Sequence, residues 1–64
     1  MKRWYCVIET YDDYGHVTAN LVDVAETEEK PADTAESTDT KDIYCTWYGS
    51  EQEANRAIKD ALMA

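Results

Sequence analysis

Between Ile43 and Met63 the hydrophobic period of the chain changes from two residues to 3.6, and this switch narrows the fold more than any other feature. Ile43-Tyr44-Cys45-Thr46-Trp47-Tyr48 alternates two side-chain faces as a strand does, and Gly49-Ser50 interrupts the alternation. Beyond it Ala54, Ala57, Ile58, Ala61 and Leu62 follow the i, i+3, i+4, i+7, i+8 spacing of a helix with one apolar stripe. The boundary is marked chemically as well. Ser50 stands three residues before Glu53, so its hydroxyl can accept from the Glu53 amide while the Glu53 carboxylate reaches back. Glu51 and Glu53 suit the positive end of the helix dipole, and Lys59 lies nearer the negative end. The spacing predicts a strand over 43–48 and a helix over 51–63.

Two earlier segments carry the period of a strand. Over 3–11, Trp4, Cys6 and Ile8 share one face, while Tyr5, Val7 and Tyr11 share the other, with no Gly or Pro between them. Asp12-Asp13-Tyr14-Gly15 then reads as a hairpin turn. An aspartate in first position accepts from backbone two residues on, and a glycine in fourth position tolerates the left-handed conformation. Over 16–24 the apolar residues start on odd positions (Val17, Ala19, Leu21) and move to even ones (Val22, Val24), which fits either a bulge near Leu21-Val22 or a strand end buried on both sides. His16 is the sole histidine, and an exposed place at the strand edge is expected for it.

Residues 25–42 break the pattern. They hold seven acids, two lysines and Pro31, with no aromatic or large aliphatic side chain. Such a segment cannot bury enough apolar area to offset its ordering entropy, so a long acidic mobile loop is expected, the alternative for its first residues being an extension of the second strand through Thr27. The fold class that follows is α+β: a three-stranded, mainly antiparallel sheet (hairpin, long acidic loop, third strand) with one C-terminal helix on one face, in a single domain. Because Ile43, Cys45 and Trp47 match Trp4, Cys6 and Ile8, these six are expected to form the core beneath the helix. Tyr5, Tyr11, Tyr44 and Tyr48 would then lie on the uncovered face, with Tyr14 at the turn nearby.

Charge and motif content bound the function. Fourteen acids against six bases give a net charge of −8 over 64 residues, which disfavours direct contact with nucleic acid or an anionic membrane and points to a basic protein surface. The apolar run Trp4–Ile8 is too short for a signal-peptide core or a membrane span, so a cytoplasmic protein is expected. Cys6 and Cys45 could form one bridge, but in that compartment two reduced, buried thiols are the expectation. No nucleophile with a base, no acid–base pair, no phosphate loop and no metal-ligand spacing stands out; Asp12-Asp13 lacks the further oxygen ligands that a cation needs. The expected catalytic, cofactor and metal sites are therefore none.

Two resemblances add to this reading. Three strands followed by a helix, with Trp47-Tyr48 before Ser50-Glu51-Gln52-Glu53-Ala54, is similar to the three-stranded sheet domains by which phage integrases and some plant regulators grip DNA. Those domains use cationic sheets, whereas the strand cations here are Lys2, Arg3 and Lys41, at strand ends. In length, acidity, element order and lack of chemical motifs, the chain resembles the small acidic anti-CRISPR proteins of phages and mobile elements. That resemblance implies a monomeric, non-enzymatic inhibitor in the bacterial host's cytoplasm, binding a surveillance complex, most plausibly of type I, and obstructing DNA binding or nuclease recruitment. The residues themselves nominate Glu9, Asp12, Asp13, Asp23 and the loop acids as phosphate surrogates, and Tyr5, Tyr11, Tyr44 and Tyr48 as contact area. The competing expectation is a small interaction module or regulator that pairs with a partner or with itself through the same tyrosine face.

Overall fold

The computed structural model describes residues 1–63. The chain forms β1 (Lys2–Asp12), β2 (Val17–Thr27), β3 (Thr34–Ser37), β4 (Lys41–Tyr48) and α1 (Glu51–Met63). The four strands make one antiparallel sheet in the order β2-β1-β4-β3, and α1 packs on one face of it, over β2 and β1 more than over β4. The α+β class and the single C-terminal helix are as the sequence implies. The sheet has four strands rather than three.

The first turn forms as its residues require. Asp12 Oδ1 accepts from the Tyr14 amide at 2.9 Å and from the His16 amide at 2.7 Å, and Gly15 adopts a φ of 83°. His16 is exposed, with Nδ1 3.0 Å from Asp12 Oδ2. The amide of His16 foremost, joined by that of Tyr14 and the His16 ring, holds the Asp12 carboxyl below its ordinary range against the opposing effect of burial, which is second in size. A depressed folded-state pKa adds stability above the ordinary aspartate value, about 3.9, and the gain is lost as pH falls through the lower folded value. The difference in thermal midpoint between the wild type and Asp12→Asn is therefore expected to be largest near neutral pH and to shrink below about pH 4. A difference that grows on acidification would contradict this account of the turn.

The shift of apolar positions in β2 is a bulge. Cys6 stands opposite Asp23 and Val7 opposite Leu21, so Val22 is the extra residue, and it is exposed. The bulge keeps Leu21 and Val24 on the same side of the sheet as their partners Val7 and Tyr5.

Half of the segment expected to be one loop lies in strands. β2 runs to Thr27, residues 34–37 form β3, and Lys41 and Asp42 belong to β4. All four residues of β3 are exposed, so apolar burial does not hold it. Its order comes from the ladder to β4 and from short polar side chains around the turn. Thr38 Oγ1 donates to the Lys41 carbonyl and accepts from the Lys41 amide, Ser37 Oγ donates to Asp42, and Asp33 Oδ1 accepts from the Trp47 amide at 2.9 Å.

The helix starts where expected: the Glu53 amide donates to Ser50 Oγ at 3.1 Å. Ala54 and Ala61 are buried and Ala57 and Ile58 half-buried, but Leu62, expected on the core face, is 55% exposed. The phase of the sheet is the reverse of that expected. The groove beside α1 is lined by Glu9, Tyr11 and Tyr48, so the tyrosine face is the one the helix covers, and Val7 at its centre has no exposed surface. Trp4, Cys6, Ile8, Ile43, Cys45 and Trp47 lie on the other side. Cross-strand pairing sets Cys6 opposite Trp47 and Ile8 opposite Cys45 there, and the Trp4 indole donates to the Thr27 carbonyl at 3.0 Å. Both thiols are free, and burial foremost, with Cys45 and Asp23 nearby, pushes the Cys6 thiol up. Both sheet faces carry apolar rings, so alternation alone does not say which one receives the helix.

Candidate functional site

Because α1 lies toward β2, it covers only part of the tyrosine face and leaves the part over β4 open. Cross-strand pairing fixes what stands there: Tyr5 opposite Tyr48, Val7 opposite Thr46, Glu9 opposite Tyr44, and Tyr11 opposite Asp42. Tyr11 and Tyr44 meet edge to face, with ring centroids 5.8 Å apart at 71°. The Tyr11 hydroxyl donates to Glu9 Oε2 at 2.9 Å. Tyr44 is 41% exposed, while Tyr11 and Tyr48 are half-buried.

Between this strip and the helix runs an open groove of about 380 Å³, lined by Glu9, Tyr11, Tyr48, Ala57, Asp60 and Ala61. Its depth comes from the two alanines, whose short side chains let the helix sit near the sheet without filling the space beside it. Its charge comes from Glu9 on one wall and Asp60 on the other, and none of the lining residues is cationic. The Tyr11 phenol is pushed up first by its hydrogen bond to Glu9, and the Tyr48 phenol first by burial and then by the Glu9 charge. Both therefore remain neutral hydroxyls at neutral pH, offering ring faces and donors beside carboxylates.

No family model, curated protein or solved structure matches the chain.

The expected site residues separate into three places. Glu9, Tyr11, Tyr44 and Tyr48 come together at the groove, and Tyr5 adjoins Tyr48 on the same face. Asp12 and Asp13 lie at the far end of the first hairpin, where the Asp13 amide donates to the Thr40 carbonyl at 3.0 Å and sets the two hairpin turns side by side. Asp23 pairs with Cys6 on the reverse face and accepts from the Val24 amide, so it is not part of the tyrosine strip. Of the loop acids, Asp42 reaches the site because β4 begins at Lys41 and sets it opposite Tyr11. Asp60 joins it without having been singled out from the sequence; it flanks the apolar stripe between Ala57 and Ala61, a spacing that could have placed it at the sheet.

Ion pairing leaves these carboxylates free. The pairs formed are the N-terminus with Glu28, Arg3 with Glu26, His16 with Asp12 and Lys30 with Asp33. Among the described residues, Glu9, Asp42 and Asp60 have no cationic partner within 4.0 Å. Among the same residues, no group of three or more His, Cys, Asp or Glu side chains is placed to hold a metal ion. Among the described residues, no helix is long and apolar enough to cross a membrane.

Proposed function

We propose that this protein is a non-enzymatic acidic inhibitor that docks on a basic surface of a nucleic-acid-processing complex, in the manner of the anti-CRISPR proteins it resembles, and blocks DNA binding or nuclease recruitment. The observation that carries the reading is the open strip beside α1, where Tyr11, Tyr44 and Tyr48 stand among Glu9, Asp42 and Asp60, none of which has a cationic partner within 4.0 Å among the described residues. Carboxylates so placed steer a basic partner and set its register, while tyrosine rings supply contact area at low entropic cost. The net charge of −8 extends the attraction beyond the strip.

Purified type I surveillance complex provides the test. The protein should bind it, displace target DNA in a mobility-shift assay, and lose affinity steeply as salt rises. Tyr44→Ala should weaken binding by roughly tenfold or more, as truncation of an interface tyrosine does, while the loss of its edge-to-face contact with Tyr11, about 0.5–1.5 kcal/mol, lowers the thermal midpoint without unfolding the domain. Failure to bind, or binding that is indifferent to salt, overturns the proposal. The alternative, a small interaction module with a basic partner outside nucleic-acid processing, draws on the same strip. Retention of basic proteins in general, with target DNA still bound by the surveillance complex, would favour it.

A further inference from the structure

We infer that the groove between β1, β4 and α1 is a receptor for one arginine side chain of the partner, its guanidinium held between Glu9 and Asp60 and stacked against Tyr11 and Tyr48. This deepens the proposed docking on a basic surface and rests on it. Three features of the groove select such a guest. Size comes first: about 380 Å³ holds on the order of a dozen waters, enough for a long side chain and too little for a strand or helix. Charge comes second: one carboxylate from the sheet and one from the helix face across it, and no lining cation competes. An acidic guest would be repelled by both walls, and an apolar one would leave both carboxylates beside it desolvated without a partner.

Shape distinguishes arginine from lysine. Tyr11 and Tyr48 both line the groove, and a planar, weakly hydrated guanidinium stacks on a tyrosine ring while its edge donates to carboxylates. Glu9 Oε2 is already occupied by the Tyr11 hydroxyl, which holds that carboxylate in place and leaves Oε1 for the guest. A lysine ammonium would gain the charge attraction and forfeit the stacking. The remaining lining, Ala57 and Ala61, contacts the methylene stem.

The inference can be tested without knowing the partner. In an NMR titration of the whole protein, N-acetyl-arginine N-methylamide should shift the amides of Tyr11, Tyr48, Ala57 and Asp60, and should bind roughly threefold or more tightly than the lysine analogue. An oligo-arginine peptide should bind the wild type about tenfold more tightly than Glu9→Gln/Asp60→Asn, a pair of isosteric changes at a half-buried and an exposed position that should leave the circular dichroism spectrum unchanged. Equal binding of the peptide to the wild type and the double variant would overturn the groove assignment while leaving a basic partner in place. Binding to neither would overturn both. Shifts confined to other residues, or lysine bound as well as arginine, would also count against an arginine receptor.

Discussion

Val7→Ala is expected to lower the thermal unfolding midpoint by roughly 10–20 °C, the largest effect of any conservative change in the sheet. Val7 sits on β1, one of the two inner strands, and is fully buried on the helix side between its partners Leu21 and Thr46. Removing its two methyl groups forfeits their transfer free energy and leaves a void, together about 2–3 kcal/mol. In a domain of this size each kcal/mol moves the midpoint by about 4–8 °C. The contrast is Val22→Ala at the bulge, where the side chain is 55% exposed and the change should stay within about 0.5 kcal/mol. Thermal denaturation followed by circular dichroism measures both. Similar losses at the two positions would mean that the core is not centred on the tyrosine side of the sheet.

Ala54→Leu should be nearly as damaging, for the opposite reason. Ala54 has no exposed surface and lies in the first helical turn, directly after the residues that the Ser50 hydroxyl ties down. Three added carbons have no space there, so the helix must lift or the sheet must bend, at a cost of about 1–3 kcal/mol. The same substitution at Arg56, on the exposed side of α1, should stay within about 0.5 kcal/mol. Urea denaturation gives both values. A neutral Ala54→Leu would show that the helix stands farther from the sheet than its burial indicates.

Much of this architecture could be read from residue order, and what could not has a physical cause. The Asp12–Gly15 turn, the Ser50 cap, the slip in β2 and the grouping of Tyr5, Tyr11, Tyr44 and Tyr48 on one face all follow from local chemistry or strict alternation, and the structure has each of them. β3 was illegible because Thr34-Ala35-Glu36-Ser37 buries nothing. It is held through its backbone and through hydroxyls whose partners on β4 are remote from the apolar pattern. The choice of covered face was ambiguous because Trp, Cys and Ile on one side and Tyr and Val on the other are both fit to be buried. The tyrosines can be covered because a narrow helix buries ring and backbone while hydroxyls emerge at its flank, as Tyr11 does toward Glu9. That same geometry moved the candidate site. The expected broad tyrosine surface became a groove, which keeps Asp42 of the loop acids, gains Asp60 and leaves Asp12, Asp13 and Asp23 elsewhere.

The strand order β2-β1-β4-β3 also sets how the chain must assemble. β1 with β2 and β3 with β4 are hairpins closed by turns of a few residues, each able to form on its own side. The β1–β4 ladder joins them within the sheet, with Tyr5 meeting Tyr48 across most of the chain, and the Asp13–Thr40 hydrogen bond and the packing of α1 on β2 and β1 reinforce that joint. The segment 28–33 is merely the tether: doubling its length would cost only about 0.6 kcal/mol in closure entropy. The late step is thus the seam between the two hairpins, and Tyr11, Tyr44 and Tyr48 come from opposite sides of that seam. The groove exists only in chains whose halves have already met, so partner binding and completed folding are one linked equilibrium.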